Sequence, residues 1–115
     1  GENLRTLWEF RQLITEGGVT FPEPDVVNCG GITPFMKIAH LAEAFSLPVT
    51  SHGMQDVSVH LLAAISNRSY MEVHDFGLQS FMQDTVRIDN GRAVAPERPG
   101  HGVDFDWPSL ARIAA

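Results

Sequence analysis

The sequence has 115 residues, of which 43% are hydrophobic and 19% charged, values typical of one small globular domain. Its 14 acidic and 8 basic side chains give a formal net charge of -6, which argues against a protein that binds nucleic acid through a clustered basic surface. The single cysteine, Cys29, excludes an internal disulfide framework and favours a reducing, cytoplasmic compartment. No uncharged run approaches the roughly 20 residues that span a bilayer, so we expect no membrane association.

The first third of the chain shows a helical pattern, then an extended one, then a second helical one. Apolar residues at helical spacing predict a helix over residues 4–16, and Gly17-Gly18 should end it. Residues 19–22 are short, β-branched and aromatic, which indicates a strand, although nearby prolines forbid extending it far. Thr33-Pro34 predicts the start of a second helix, with the threonine as N-cap and the proline as first helical residue.

The middle of the chain repeats this alternation. Residues 47–52 are short and extended, residues 57–65 form a third apolar helix with Asp56 as its N-cap, and residues 69–76 alternate as a strand would. The connections are too short to separate domains. Because parallel strands need crossover helices between them, the order α-β-α-β-α-β predicts an α/β fold with a parallel sheet.

The pattern changes after residue 76. Residues 85–94 predict a β-hairpin, because the Asn90-Gly91 pair at its centre suits a type I′ turn. Prolines and glycines between residues 96 and 102 indicate an irregular stretch, and residues 107–113 predict a last short helix.

Four ionisable residues lie at corresponding points of successive βα units. Asp25 ends the strand before the second helix, His52 ends the next strand, and Glu72 lies on the last one. Glu2 precedes the first helix, where a preceding strand would end. Active sites of parallel α/β proteins collect at the carboxyl ends of the strands. Three acids and one histidine on one rim therefore indicate metal-assisted or general acid–base chemistry.

Each of these residues also has a purely structural interpretation. Asp25 is a common residue type for capping a turn, and His52 would serve as a hydrogen-bonded loop histidine. Glu72 would be an outward-facing residue of its strand. Glu2 has the weakest local support, since it stands at the start of the sequence.

The remaining reactive side chains are weaker candidates. His40 and His60 lie inside apolar helices and belong to no His-Glu-x-x-His zinc pattern. His74 shares the strand face of Glu72, which makes it a candidate for supporting that carboxylate. Cys29 has no neighbouring histidine or second cysteine, which argues against a thiol nucleophile.

Taken together, these motifs resemble the carboxyl-terminal part of the enolase superfamily, specifically the mandelate racemase/muconate lactonising enzyme family. The residues that carry the resemblance run through the whole chain: Gly1-Glu2-Asn3, Pro24-Asp25, Gly30-Gly31-Ile32-Thr33, Ser51-His52-Gly53-Met54, Glu72 and Pro99-Gly100-His101-Gly102-Val103. The resemblance implies a (β/α)₇β barrel. Residues 1–76 would then supply strands six to eight with their helices, and residues 77–115 a return segment, with hairpin and helix, that packs toward a capping domain.

The resemblance also implies a role for each candidate residue. Glu2 would bind Mg²⁺ together with two acids from earlier strands. His52 would be the base that removes the proton next to a substrate carboxylate, and Asp25 would pair with it as a dyad. Glu72 would hydrogen-bond the enolate oxygen. The physics is consistent, because a proton α to a carboxylate is a very weak acid whose removal requires stabilisation of the enolate.

The resemblance leads to one principal functional hypothesis and two alternatives. The principal one is the carboxyl-terminal part of a Mg²⁺-dependent dehydratase or racemase acting on a small carboxylate, a sugar acid or hydroxy acid, and homo-oligomeric when complete. The family's other metal-binding acids and its Lys-x-Lys motif lie on strands that this sequence does not contain. We therefore expect the 115-residue chain to need an amino-terminal half or a second chain. The alternatives are an inactive fragment or pseudo-enzyme scaffold, and a freestanding α/β metal-binding module.

Overall fold

The computed structural model describes residues 1–74 and 77–113. Nine helices and strands are assigned within these ranges: α1 (Leu7–Thr15), α2 (Ile32–Ala44), β1 (Val49–Ser51), α3 (Gln55–Ala63), β2 (Arg68–Met71), a 3₁₀ helix (Leu78–Phe81), β3 (Arg87–Asp89), β4 (Arg92–Val94) and α4 (Trp107–Ile113). No helix in the described part of the chain is long and apolar enough to cross a bilayer.

The first helix, α1, begins three residues later than the apolar pattern predicts. Thr6 is its N-cap: the threonine side chain accepts the amide hydrogen of Glu9, and the Glu9 carboxylate accepts that of Thr6. This reciprocal capping box satisfies two amides that the helix cannot pair and so fixes where it starts. Phe10 and Ile14 form the buried face.

The second helix, α2, begins at Ile32 with Gly31 as its N-cap, so the prediction of Thr33 as N-cap is wrong. Gly31 has a φ of 111°, a backbone conformation that side-chain-bearing residues rarely adopt. Pro34 is the third helical residue. Proline is tolerated there because amides of the first turn have no partner within the helix.

No strand forms at residues 19–22, which corrects the sequence prediction. The segment still runs beside β1, since the carbonyl of Pro22 accepts from the amide of Thr50 at 3.1 Å. One bridge, between Asp25 and His52, follows it. Proline has no N–H to donate, so the ladder cannot continue through this segment. The result still places Asp25 beside His52.

The two central strands, β1 and β2, pair in parallel, as the helix–strand alternation predicts. The helix α3 connects them, beginning at Gln55 after Met54, so Asp56 is not its N-cap. The strand β2 ends at Met71, earlier than predicted, and Glu72 follows it. The last two residues of the predicted strand, 75 and 76, lie outside the described ranges.

The core lies between the three long helices and β1. Its fully enclosed apolar side chains include Phe10 of α1, Phe35, Ile38, Ala39 and Ala42 of α2, and Val49 of β1. The outer side of β2 is covered less well, since Tyr70 is 73% exposed.

The end of the chain follows the sequence prediction. The strands β3 and β4 pair in an antiparallel hairpin. Asn90 and Gly91 have φ values of 49° and 74°, as a type I′ turn requires. The helix α4 spans the predicted residues.

Candidate active site

A histidine–aspartate pair lies at the ends of two neighbouring extended segments. The Nδ1 atom of His52 is 2.8 Å from the Oδ2 atom of Asp25. Asp25 is buried, and its other oxygen, Oδ1, accepts the amide hydrogens of Val27 at 2.7 Å and Asn28 at 3.0 Å. One carboxylate thus fixes its own loop and holds the imidazole.

The approach of the two segments depends on Gly53. A Cβ atom on Gly53 would lie 2.9 Å from Oδ2 of Asp25, closer than carbon and oxygen atoms normally come. Gly53 also has a φ of 57°, in the left-handed region. The glycine after the histidine therefore allows the pair to form.

The pair stabilises the charged form of each partner. Burial alone would raise the pKa of Asp25, but the hydrogen bonds from His52 and from the Asn28 and Val27 amides outweigh it and lower that pKa. The hydrogen bond to Asp25 raises the pKa of His52, against the opposing effect of burial, and the charges of Glu2 and Glu72 add to the rise. His52 is thus suited to accepting a proton.

The other two predicted residues lie on the free side of the same imidazole. Oε2 of Glu2 and Oε2 of Glu72 are each 3.6 Å from the Nε2 atom of His52. The three acids that the sequence singles out therefore all meet at the fourth predicted residue, His52. Glu2 is further tied to the Asp25 loop, since its carbonyl accepts from the side chain of Asn28 at 3.1 Å.

A second histidine completes the cluster. Nε2 of His74 is 2.7 Å from Oε2 of Glu72, which agrees with the predicted proximity of these two residues. The imidazole rings of His52 and His74 are 5.2 Å apart between centroids.

Two glutamines that the sequence analysis missed hold His74. The Gln55 side chain donates to the carbonyl of His74 at 2.8 Å and accepts from its amide at 3.2 Å. Gln79 donates to the same carbonyl at 2.9 Å. In the sequence, Gln55 is marked only as a polar residue two positions before an apolar helical run, and this does not indicate a contact with His74.

The cluster offers two different sets of metal-binding atoms. Glu2 presents a partly exposed carboxylate, the oxygen donor that Mg²⁺ prefers. The donor atoms of His52, Glu72 and His74 lie within 4.8 Å of one another, but a set with two imidazoles suits transition metals better than Mg²⁺. The carboxylate of Glu2 thus fits Mg²⁺ by its donor chemistry.

Among the described residues, the weaker candidates Cys29, His40 and His60 form no side-chain hydrogen bond or ion pair with this cluster. Cys29 is 2% exposed, and burial raises the pKa of its thiol, so it is not poised as a nucleophile. His40 is exposed on α2, and His60 lies in the last turn of α3.

Comparison with known proteins is consistent with this geometry. Residues 1–109 match the family model described as enolase C-terminal domain-like. The chain belongs to this enolase family. The match includes Glu2, Asp25, His52, Glu72 and His74, and the helices and strands from α1 through β4.

Several enolase-family proteins are similar over nearly all of the chain. The 3,6-anhydro-α-L-galactonate cycloisomerase of Streptomyces coelicolor is 49% identical over 99% of this chain and 32% of its own length. A racemase structure from Streptomyces coelicolor with bound magnesium superposes with a TM-score of 0.91 at 47% identity, over 97% of this chain and 30% of its own. The structure of an L-talarate dehydratase from a Polaromonas species, complexed with Mg and L-glucarate, superposes with a TM-score of 0.88 at 34% identity. The match covers 96% of this chain and 31% of the dehydratase. The chain thus spans about a third of each relative.

Proposed function

We propose that this chain supplies the base and the enolate-facing acid of a Mg²⁺-dependent enzyme that removes the proton α to the carboxylate of a sugar acid. One observation carries the proposal: Nε2 of His52 faces Glu2 and Glu72, while its Nδ1 is held by Asp25. Relatives with known activities act on sugar acids, which favours that substrate class.

His52 is the proposed base. Its Nδ1 lies against the carboxylate of Asp25, so the neutral ring carries its proton on Nδ1 and presents the lone pair of Nε2 to the substrate. When Nε2 takes the α-proton, the imidazolium is stabilised by the same carboxylate at 2.8 Å. Asp25 therefore orients the base and stabilises its charged form.

Glu72 is the proposed partner of the developing enolate. Its carboxyl group lies on the same side of His52 as the lone pair of Nε2, so in its protonated form it can donate an O–H to an oxygen next to the carbon that loses its proton. Glu2 would bind Mg²⁺ through its carboxylate. When bound, Mg²⁺ supplies a fixed positive charge that stabilises the negative charge on the substrate.

The reaction begins the same way in each class of relative. Dehydration, racemisation and cycloisomerisation of a sugar acid all follow from loss of the α-proton, and the outcome depends on groups facing the opposite side of the carbon. We propose a dehydratase or racemase, as the motifs imply, and the cycloisomerase relative adds isomerisation of an anhydro-sugar acid as a third outcome to assay.

The complete enzyme is proposed to be a (β/α)₇β barrel, homo-oligomeric and cytoplasmic, in which residues 1–76 form the last strands and residues 77–115 the return to a capping domain. The partial coverage of the relatives supports a further segment or chain. So does the face of β2 that carries Tyr70, whose side chain is 73% exposed, as expected for a surface that a further part of the protein would cover.

The proposal is tested with the protein that carries this chain together with the rest of the barrel. We expect turnover of at least one acid in a panel of aldonic, aldaric and anhydro-sugar acids with Mg²⁺. Turnover should disappear with EDTA and return with added Mg²⁺. Activity that persists unchanged in EDTA would contradict the metal-dependent mechanism, and no turnover or α-proton exchange of any acid would contradict the enzyme assignment.

The isolated 115-residue chain is proposed to be inactive. Among its described residues at the site, Glu2 is the one carboxylate assigned to Mg²⁺, and that ion normally takes further carboxylates or substrate oxygens. We expect a calorimetric titration of the isolated chain to show no tight binding. Stoichiometric, tight uptake of Mg²⁺ would contradict this and favour a freestanding metal-binding module.

A further inference from the structure

The Glu72 carboxylate lies between two imidazoles. Its Oε2 atom is 2.7 Å from Nε2 of His74 and 3.6 Å from Nε2 of His52. The two rings meet edge to face, at an interplanar angle of 66°. Only His52 is held by Asp25, so the second imidazole needs a different explanation.

Oε2 of Glu72 and Nε2 of His74 are both buried and lie within ion-pair distance of each other. Two atoms that each present only a lone pair repel at 2.7 Å, whereas a charge-assisted N–H···O or O–H···N hydrogen bond has this length. When His74 donates its N–H to Oε2 of a protonated Glu72 carboxyl group, the O–H on Oε1 is free to point at an enolate oxygen. If Glu72 instead gave its O–H to His74, no proton would remain for the enolate, so only the first arrangement serves the enolate, and it fixes the direction in which the Glu72 oxygens point.

The backbone that carries His74 is itself fixed. Gln55 pairs with both its amide and its carbonyl, and Gln79 donates to that carbonyl as well. Gln55 is 5% exposed and lies three residues after His52, at the start of α3. The segment carrying the base and the segment carrying Glu72 are therefore joined through one buried amide side chain.

We propose that His74 is a positioning residue that holds the Glu72 carboxyl group in place for the enolate. The inference rests on the proposed function. Glu72 would interact with an oxygen whose negative charge develops only as the α-proton leaves. Loss of its alignment should therefore lower kcat while KM stays nearly constant, because interactions confined to the transition state affect kcat.

The test compares two substitutions in the complete protein. His74→Phe keeps the bulk of the ring but removes the hydrogen-bonding nitrogen, and we expect kcat to fall about 10- to 100-fold, as for other groups that orient a site residue. His74→Gln places an amide N–H near the position of Nε2 and should restore most of that loss. His40→Phe, on the exposed face of α2, is the matched control and should leave kcat unchanged.

Three outcomes would overturn the inference: wild-type kcat in His74→Phe, equal losses in the Phe and Gln variants, or a raised KM with constant kcat. A spectroscopic readout separates this inference from the proposed function. In protein labelled with ¹⁵N-histidine, Glu72→Gln should shift the His74 ring resonances, and the distant Glu43→Gln should not. Unshifted His74 resonances would overturn the contact even if no substrate is turned over. A shift together with turnover insensitive to His74→Phe would overturn only the positioning role.

Discussion

The Asp25 carboxylate is hydrogen-bonded on both of its oxygens. Its Oδ2 atom lies 2.8 Å from Nδ1 of His52, and its Oδ1 atom accepts two backbone amides of its own loop. The side chain therefore cannot turn without breaking the loop that carries it. This fixed carboxylate sets the orientation of His52, and with it the direction of the free Nε2 atom.

Replacement of Asp25 tests this orientation. In Asp25→Asn, an amide N–H would face Nδ1 of His52, which favours the tautomer with its proton on Nε2 and removes the base. We expect kcat of the complete protein to fall by about 10²- to 10⁴-fold, the usual contribution of a general base. The measurement is steady-state turnover of the sugar acid that the wild type accepts. Glu23→Gln removes a carboxylate two residues away and should have little effect. Near wild-type activity in Asp25→Asn would contradict the dyad.

Substitution of Gly53 tests the close approach to Asp25. Gly53→Ala would place a Cβ atom 2.9 Å from Oδ2 of Asp25, and the alanine would also have to adopt a left-handed backbone conformation. Gly17 has a φ of 69° and open space around it, so Gly17→Ala carries the backbone cost alone, about 1–2 kcal/mol. Urea unfolding should show a larger loss for Gly53→Ala than for Gly17→Ala. Only Gly53→Ala should also lose activity, and equal effects on both would contradict the steric argument.

Removal of the Glu2 carboxylate tests its assignment to the metal. Loss of a group that only orients a metal ligand weakens metal binding about 10- to 100-fold. Because Glu2 is assigned as a ligand itself, Glu2→Gln should raise the Mg²⁺ concentration needed for half-maximal activity by at least about 10-fold. Glu16→Gln, an equal charge change at the end of α1, is the control. An unchanged Mg²⁺ requirement in Glu2→Gln would contradict the assignment.

The sequence predicts the general fold because helical and extended patterns alternate clearly. The hairpin at Asn90-Gly91 and the helix over 107–113 are local structures, determined by turn residues and apolar spacing, and both predictions are confirmed. The strand expected at residues 19–22 fails for a local reason, the prolines in and beside the segment. A proline carbonyl can accept a hydrogen bond from β1, but proline cannot return one, so the segment pairs without forming a ladder.

Part of the site follows from local patterns, and part depends on three-dimensional packing. The positions of Asp25 and His52 place them on one rim, the family resemblance implies that they pair, and they lie in contact. Gln55 could not be predicted, because its two hydrogen bonds reach the backbone of His74, 19 residues later. No periodic pattern marks a side chain that pairs with a distant main chain.

The thiol of Cys29 provides a test of the core. The residue is 2% exposed, and burial raises the pKa of the thiol, so little reactive thiolate is present near neutral pH. Mass spectrometry should show slow iodoacetamide labelling in the folded protein and rapid labelling in urea. Thr33→Cys in a Cys29→Ser background offers an exposed thiol on α2 and should label rapidly without urea. Rapid labelling of Cys29 in the folded protein would contradict its packing.

The central claim is that His52 removes the α-proton of a sugar acid. It is tested most directly by following deuterium released from an α-deuterated substrate of the configuration that the wild type turns over. The wild-type protein with Mg²⁺ should release deuterium to water, and His40→Asn should do the same. His52→Asn should bind the substrate but release none above background. Deuterium release by His52→Asn at the wild-type rate would contradict the assignment of the base and, with it, the proposed mechanism.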